Sequence, residues 1–169
     1  MIKTEFIIKI KRMLYKIRQK IMSIGDTFSI KDNNGNKIFI VKSQILSIGK
    51  KLKIYNLYNE ELIYIEQKLL TLLPEYHIFE NKVLIAKAKK EFTFFKPKIN
   101  IELQNETIKI KGDIFDYNYS IKNKNKNIAS INKDIINITD NYTVNINDDE
   151  NQLLILSLII VIDMIFHEN

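Results

Sequence analysis

From Gln152 to Phe166 the chain is apolar almost all round, interrupted only by Ser157 and Asp163 after its opening Gln152. A helix that is hydrophobic on every side must be enclosed on every side. The run Leu153–Ile162, which contains Ser157, is ten residues, well short of the roughly 20 that cross a bilayer. It therefore reads as a buried helix, and the rest of the chain must supply its wrapping. Asp148, Asp149 and Glu150 stand just ahead of it, and acidic residues favour a helix N-terminus.

The wrapping is visible as a repeat of 24 residues. Units open at Lys20 (Lys-Ile-Met-Ser-Ile-Gly-Asp-Thr-Phe-Ser-Ile), at Gln44 (Gln-Ile-Leu-Ser-Ile-Gly-Lys-Lys-Leu-Lys-Ile) and at Lys68 (Lys-Leu-Leu-Thr-Leu-Leu-Pro-Glu-Tyr-His-Ile). Fainter copies start near Lys90 and Ile135. Each unit reads as an apolar pair, a small polar residue, a turn and an alternating strand. The first three continue through polar turns at 32–36, 56–59 and 80–82 into returning strands at 37–42, 61–67 and 83–89. Short β-rich runs joined by Asn/Asp/Gly turns are hairpins. Alternation such as Phe28 and Ile30 against Thr27 and Ser29 buries one face and wets the other. Further strands follow at 98–103, 108–111, 117–122, 127–132 and 142–146. A helix of about 14 residues is about 21 Å long, and strands of six or seven residues are about 20–23 Å. The lengths match. The expected fold is mainly β: a closed antiparallel barrel of about twelve strands around the C-terminal helix, with no exposed sheet edge.

Composition removes most familiar chemistries. Cys is absent, so disulfides, thiol catalysis and Cys-bound metals are excluded. Two His, at 77 and 167, cannot build a multi-histidine site. Four Gly form no phosphate-cradling loop. No catalytic residues, cofactor or metal are expected. The longest apolar stretch near the N-terminus is Phe6–Ile8, too short for a secretory signal. Without Cys or signal, the expected location is cytoplasmic.

Several stretches carry a family resemblance. They are Lys20–Ile30 with its Asp32–Gly35 turn, Leu46–Gly49, Ile65–Leu69, Pro74–Ile78, Gly112–Ile114, and the helix Leu153–Asp163 ending in Ile-Asp-Met. In this order and spacing, from about Leu14 to His167, the chain resembles LURP-one-related proteins of the Tubby C-terminal-like superfamily. That resemblance implies a twelve-stranded barrel around a central helix. It also implies a link to membrane lipid, since superfamily relatives bind phosphoinositides or are tied to phospholipid scrambling. The LURP-one-related branch itself has no agreed activity. This chain lacks the Trp usual in the last repeat. Residues 1–12 precede the family's usual start, so the chain divides into a basic N-terminal extension, 1–12, and one barrel domain, 13–169.

Two Lys-rich stretches are the candidate lipid contacts. Residues 1–25 hold seven bases against Glu5, which accounts for the whole net charge of +6. Within them Lys9, Lys11 and Arg12 belong to the extension, which could lie on an anionic surface as a basic amphipathic helix. From Leu14 onward a strand is expected, with Tyr15, Ile17 and Ile21 inward and Lys16, Arg18 and Lys20 in solvent. The second stretch holds Lys82, Lys87, Lys89, Lys90, Lys96 and Lys98, opposed by Glu91 and adjoining Phe92, Phe94 and Phe95. Its plain alternative is a solvated strand face that discourages aggregation. Asp163, after ten apolar positions, is expected at a barrel mouth, paired with Lys or capped by Tyr. Asp113 and Asp116 are expected to shape a turn, His77 to be a surface or satisfied strand residue and His167 to lie in a frayed tail.

The resulting expectation is a non-enzymatic barrel that contacts an anionic membrane surface peripherally. The alternative is a protein-interaction module with no lipid role, which suits the balanced charge beyond residue 25. Nucleic acid is disfavoured, because two Arg offer few phosphate or base forks.

Overall fold

The structure, a computed structural model, describes residues 12–18, 27–44, 48–103, 106–133 and 141–167. Twelve strands precede one helix: β1 (Arg12–Arg18), β2 (Thr27–Asp32), β3 (Lys37–Ser43), β4 (Lys51–Tyr55), β5 (Glu61–Gln67), β6 (Glu75–Glu80), β7 (Val83–Lys90), β8 (Ile99–Leu103), β9 (Thr107–Asp113), β10 (Asn118–Asn123), β11 (Lys126–Lys133), β12 (Asn141–Asn147) and α1 (Gln152–Phe166). Every strand pairs antiparallel with its sequence neighbours, and β1 pairs with β12 to close the barrel. Closure removes the sheet edges that short strands would otherwise expose. The expected architecture is thus the observed one.

Alternation places the core. Phe28 and Ile30 on β2, Leu52 and Ile54 on β4, and Ile63 and Ile65 on β5 point inward and are buried. Their neighbours on the outer face stay wet. Tyr15 and Ile17 are likewise buried on β1, as expected of a strand, whereas Ile21 lies outside the described residues. Eleven consecutive helix residues, Ile155–Ile165, are buried. Burying one such Leu or Ile is worth about 1.5–3 kcal/mol, so the helix is a large part of the driving force. Ser157 survives in this apolar setting because its hydroxyl donates to the Leu153 carbonyl at 2.7 Å.

The acids ahead of the helix do not occupy its first turn. Asn151 is the N-cap, its side chain accepting from the Leu154 N–H at 3.0 Å. Asp149 and Glu150 instead accept from Lys126 Nζ at 2.6 and 2.7 Å, tying the turn before α1 to β11. His167 is not frayed either. It caps the helix through its N–H to the Asp163 carbonyl at 2.9 Å, and its ring stacks on Tyr117 at 4.2 Å. Stacking on a buried aromatic holds the terminal turn in place.

Candidate membrane-facing end of the barrel

Neighbouring strands alternate in direction, so the loops sort onto two ends. The loop after β12 delivers the chain to the helix N-terminus at one end. The loops β3–β4 (44–50), β5–β6 (68–74), β7–β8 (91–98) and β9–β10 (114–117) surround the helix C-terminus at the other.

These two ends differ in chemistry. Twelve large apolar side chains are exposed among the described residues. Eight of them stand on the four loops around the helix C-terminus: Ile48; Leu69, Leu70 and Leu72; Phe92, Phe94 and Phe95; and Phe115. Leu70 is 107% exposed, Leu72 104% and Phe95 99%, so these side chains project into solvent with almost no cover. The same loops carry Lys50, Lys68, Lys96 and Lys98 against Glu91 and Asp116. The opposite end is built from Asn-rich turns. Among the described residues it holds Glu60, Glu106, Asp148, Asp149 and Glu150 against Lys82, Lys124 and Lys126, the last paired with Asp149 and Glu150.

Contacts link the four loops into a rim among the described residues. Leu69 lies directly over Gly49, where an added Cβ would come within 2.8 Å of its Cδ2. The Gln67 N–H donates to the Lys50 carbonyl at 2.8 Å, and the Lys90 N–H donates to the Pro74 carbonyl at 2.9 Å. Lys90 Nζ sits 5.4 Å from the centre of the Phe166 ring, and Phe166 meets Phe115 edge-on at 6.1 Å. Within the β7–β8 loop, Phe92 and Phe94 pack edge-on at 5.2 Å.

Leu70 is held at φ 62°, in the left-handed region. A branched side chain there is disfavoured by about 1–2 kcal/mol. Strain of this kind persists where the surroundings impose it, commonly at functional positions. Here it aims an apolar side chain outward.

Below the rim lies a buried polar cluster. Tyr117 donates to Asp163 Oδ1 at 2.7 Å, and Asp163 is 2% exposed. Asp163 is therefore capped by Tyr, one of the two arrangements expected from the sequence. Tyr117 also stacks on Tyr142 at 4.8 Å, and His167 Nε2 lies 3.0 Å from the Ile114 carbonyl oxygen. Burial, followed by the nearby Asp163 carboxylate, pushes the Tyr119 and Tyr142 hydroxyls well above their ordinary pKa. The turn between Asp113 and Tyr117 forms as expected, with the Asp116 N–H donating to Asp113 Oδ1 at 3.2 Å.

The lysines singled out by sequence scatter. Lys9 and Lys11 lie outside the described residues. Arg12, grouped with the extension by sequence, opens β1 opposite Asn147. Lys87 and Lys89 share the outer wall, but Lys87 stands between His77 and Glu102, and Lys89 between Glu75 and Asn100. Lys89 Nζ is 3.6 Å from Glu75. That wall is mixed in charge. The His77 ring, 3.0 Å from Glu75, is the main cause of the lowered Glu75 pKa. Lys82 sits at the opposite end, on a groove of about 610 Å³ over β4–β6, where Lys53 is taken by Glu61 at 2.8 Å. Lys90, Lys96 and Lys98 do reach the rim.

Sequence reasoning missed the leucines. Leu69 and Leu70 read as the apolar pair opening a core repeat. The signal that separates them is local: Lys68 before, no alternation through Leu72 and Leu73, and Pro74 after.

Among the described residues no helix is long and apolar enough to cross a membrane, and no group of His, Cys, Asp and Glu could hold a metal ion. A family model described as LURP-one-related matches residues 13–163. An uncharacterized Bacillus subtilis protein, YxjI, is 29% identical over 153 residues, covering 90% of this chain and 93% of that one. An X-ray structure of an Arabidopsis thaliana protein superposes with a TM-score of 0.69 at 16% identity, covering 92% of this chain and 91% of the other. The last likeness concerns the fold alone.

Proposed function

The chain belongs to the LURP-one-related family, and from that premise we propose that it is a non-enzymatic barrel that docks peripherally on an anionic membrane surface, at its cytoplasmic face. The observation that carries this reading is the rim around the helix C-terminus, where eight exposed apolar side chains stand among lysines. Projecting apolar tips and nearby cations are what an interfacial contact needs. The tips partition below the headgroups, and each Lys near the surface adds about 1 kcal/mol. The opposite end, rich in acids, is repelled by the same surface. The exposed apolar tips, eight of the twelve among the described residues, orient the barrel with the helix C-terminus toward lipid.

Co-sedimentation with vesicles tests this directly. The full chain should pellet with phosphatidylserine-containing vesicles and not with neutral phosphatidylcholine ones. A variant carrying Leu70→Ser, Leu72→Ser, Phe94→Ser and Phe95→Ser should lose pelleting while keeping its melting temperature. No pelleting at low salt would overturn the proposal, as would pelleting that ignores the four substitutions. Either result would move attention to a protein partner for the rim.

A further inference from the structure

The barrel wall parts beside the rim. Among the described residues, β8 and β9 are joined by two register pairs, Ile101↔Ile108 and Glu102↔Thr107. Continuing that register would set Ile99 against Ile110 and Lys98 against Lys111, yet no pairing forms there. A crevice of about 400 Å³ occupies the space instead, within the size range of small-ligand sites. Its depth is apolar: Ile99, Ile108, Ile110 and Ile114, of which Ile108 and Ile114 are buried and the other two pack on the core. Its lining also carries Lys98 and Lys109, with Glu91 as the opposing charge. Pro97, Lys98 and Gly112 place one end of it at the rim, next to the Phe92–Phe95 loop.

We propose that the β8–β9 crevice is a binding site for one single-chain anionic amphiphile, its hydrocarbon chain lying along Ile99, Ile108 and Ile110 and its head group held by Lys98 and Lys109. The chemistry is shared by a free fatty acid and a lysophospholipid. An apolar trench alone would accept any oily group; the two lysines select an anionic head, and the opening at the rim gives the chain a path from a bilayer without crossing water. The inference rests on the membrane reading for that path, but the binding itself does not need a membrane.

The test therefore omits vesicles. The fluorescent fatty acid 11-(dansylamino)undecanoic acid is titrated into the full-length protein. A blue-shifted, saturable enhancement is expected. Displacement by oleic acid would identify a fatty-acid site, and displacement by lysophosphatidic acid but not oleic acid a lysophospholipid site. Ile110→Trp fills the trench and should weaken probe binding at least tenfold. Should that variant unfold by circular dichroism, the surface pair Lys98→Gln and Lys109→Gln serves instead, with the same expected weakening. The four-residue rim variant should bind the probe as the wild type does, so that loss of vesicle binding and loss of crevice binding are separable. No enhancement, or enhancement untouched by the crevice substitutions, overturns the proposal.

Discussion

Leu70 offers a substitution whose two effects run in opposite directions. Its side chain is wholly exposed and its backbone is left-handed. Asn tolerates that conformation far better than Leu, because its short polar side chain can bond locally. Leu70→Asn therefore relieves part of a strain of about 1–2 kcal/mol and removes no packing contact. A gain of roughly 0.5–1 kcal/mol in folding stability is expected, or about 1–4 °C in Tm for a chain of this size. The same change removes an apolar tip from the rim. If Leu70 is fully inserted, its transfer is worth about 1.5–3 kcal/mol, so vesicle affinity should fall roughly tenfold or more. Thermal unfolding by circular dichroism and partitioning onto phosphatidylserine-containing vesicles read the two quantities separately. A more stable protein that binds vesicles less tightly is the expected outcome. A variant that melts lower would refute the strain argument. One that melts higher but binds equally would remove Leu70 from the membrane contact.

Other perturbations address the fold. Tyr117→Phe and Tyr142→Phe make the same change on two stacked rings 4.8 Å apart. Tyr117 donates to a buried carboxylate, so its loss should cost about 1.5–3 kcal/mol. The Tyr142 hydroxyl has no partner among the described residues, so its removal should be neutral or stabilising; denaturant midpoints decide. Gly112→Ala should destabilise by more than about 1 kcal/mol in the same assay. At φ +125° its Cβ would meet backbone, 2.5 Å from the Asn118 oxygen and 2.7 Å from the Tyr119 Cα. Glu75 has a lowered folded pKa, set first by its bond with His77 and then by Lys89 against some desolvation. A depressed carboxylate stabilises the fold above its unfolded pKa, about 4.5, and that stability is lost as pH falls through the lower folded value. Glu75→Gln should flatten this part of the acid limb of a stability–pH curve, and an unchanged limb would contradict it.

The strands were legible because alternation survives in nearly all of them. Phe28 and Ile30, or Leu52 and Ile54, separate from their polar neighbours by period alone. The helix was legible because an all-round apolar run has few places to go. Closure was implied by the need to enclose that run, and the pairing of β1 with β12 supplies it. What periodicity does not carry is the meeting of distant loops. Ile48, Leu72, Phe94 and Phe115 belong to four separate turns, and only the barrel gathers them at one end. The outer wall defeated the count of lysines for the same reason: Lys87 and Lys89 look concentrated along the chain, but Glu102 and Glu75 arrive from neighbouring strands. Capping chemistry was the other gap. Asp149 and Glu150 read as helix-start acids, yet Lys126 of a neighbouring hairpin claims them. His167 looked terminal and loose, yet a tyrosine 50 residues earlier in the chain stacks on it.

The helix that fills the barrel follows all twelve strands in chain order. At ribosomal rates, on the order of ten seconds separate the synthesis of Ile30 from that of Ile159, against which the barrel interior packs. Until then the inward apolar side chains of the strands have no helix to close upon. The pairing that seals the wall, Arg12 with Asn147, also joins residues far apart in sequence. The other pairings join consecutive strands, so this closure is the long-range contact that must wait for the end of the chain. A partly made chain is thus a set of sticky hairpins, and the native state is reached in one late event once α1 has emerged.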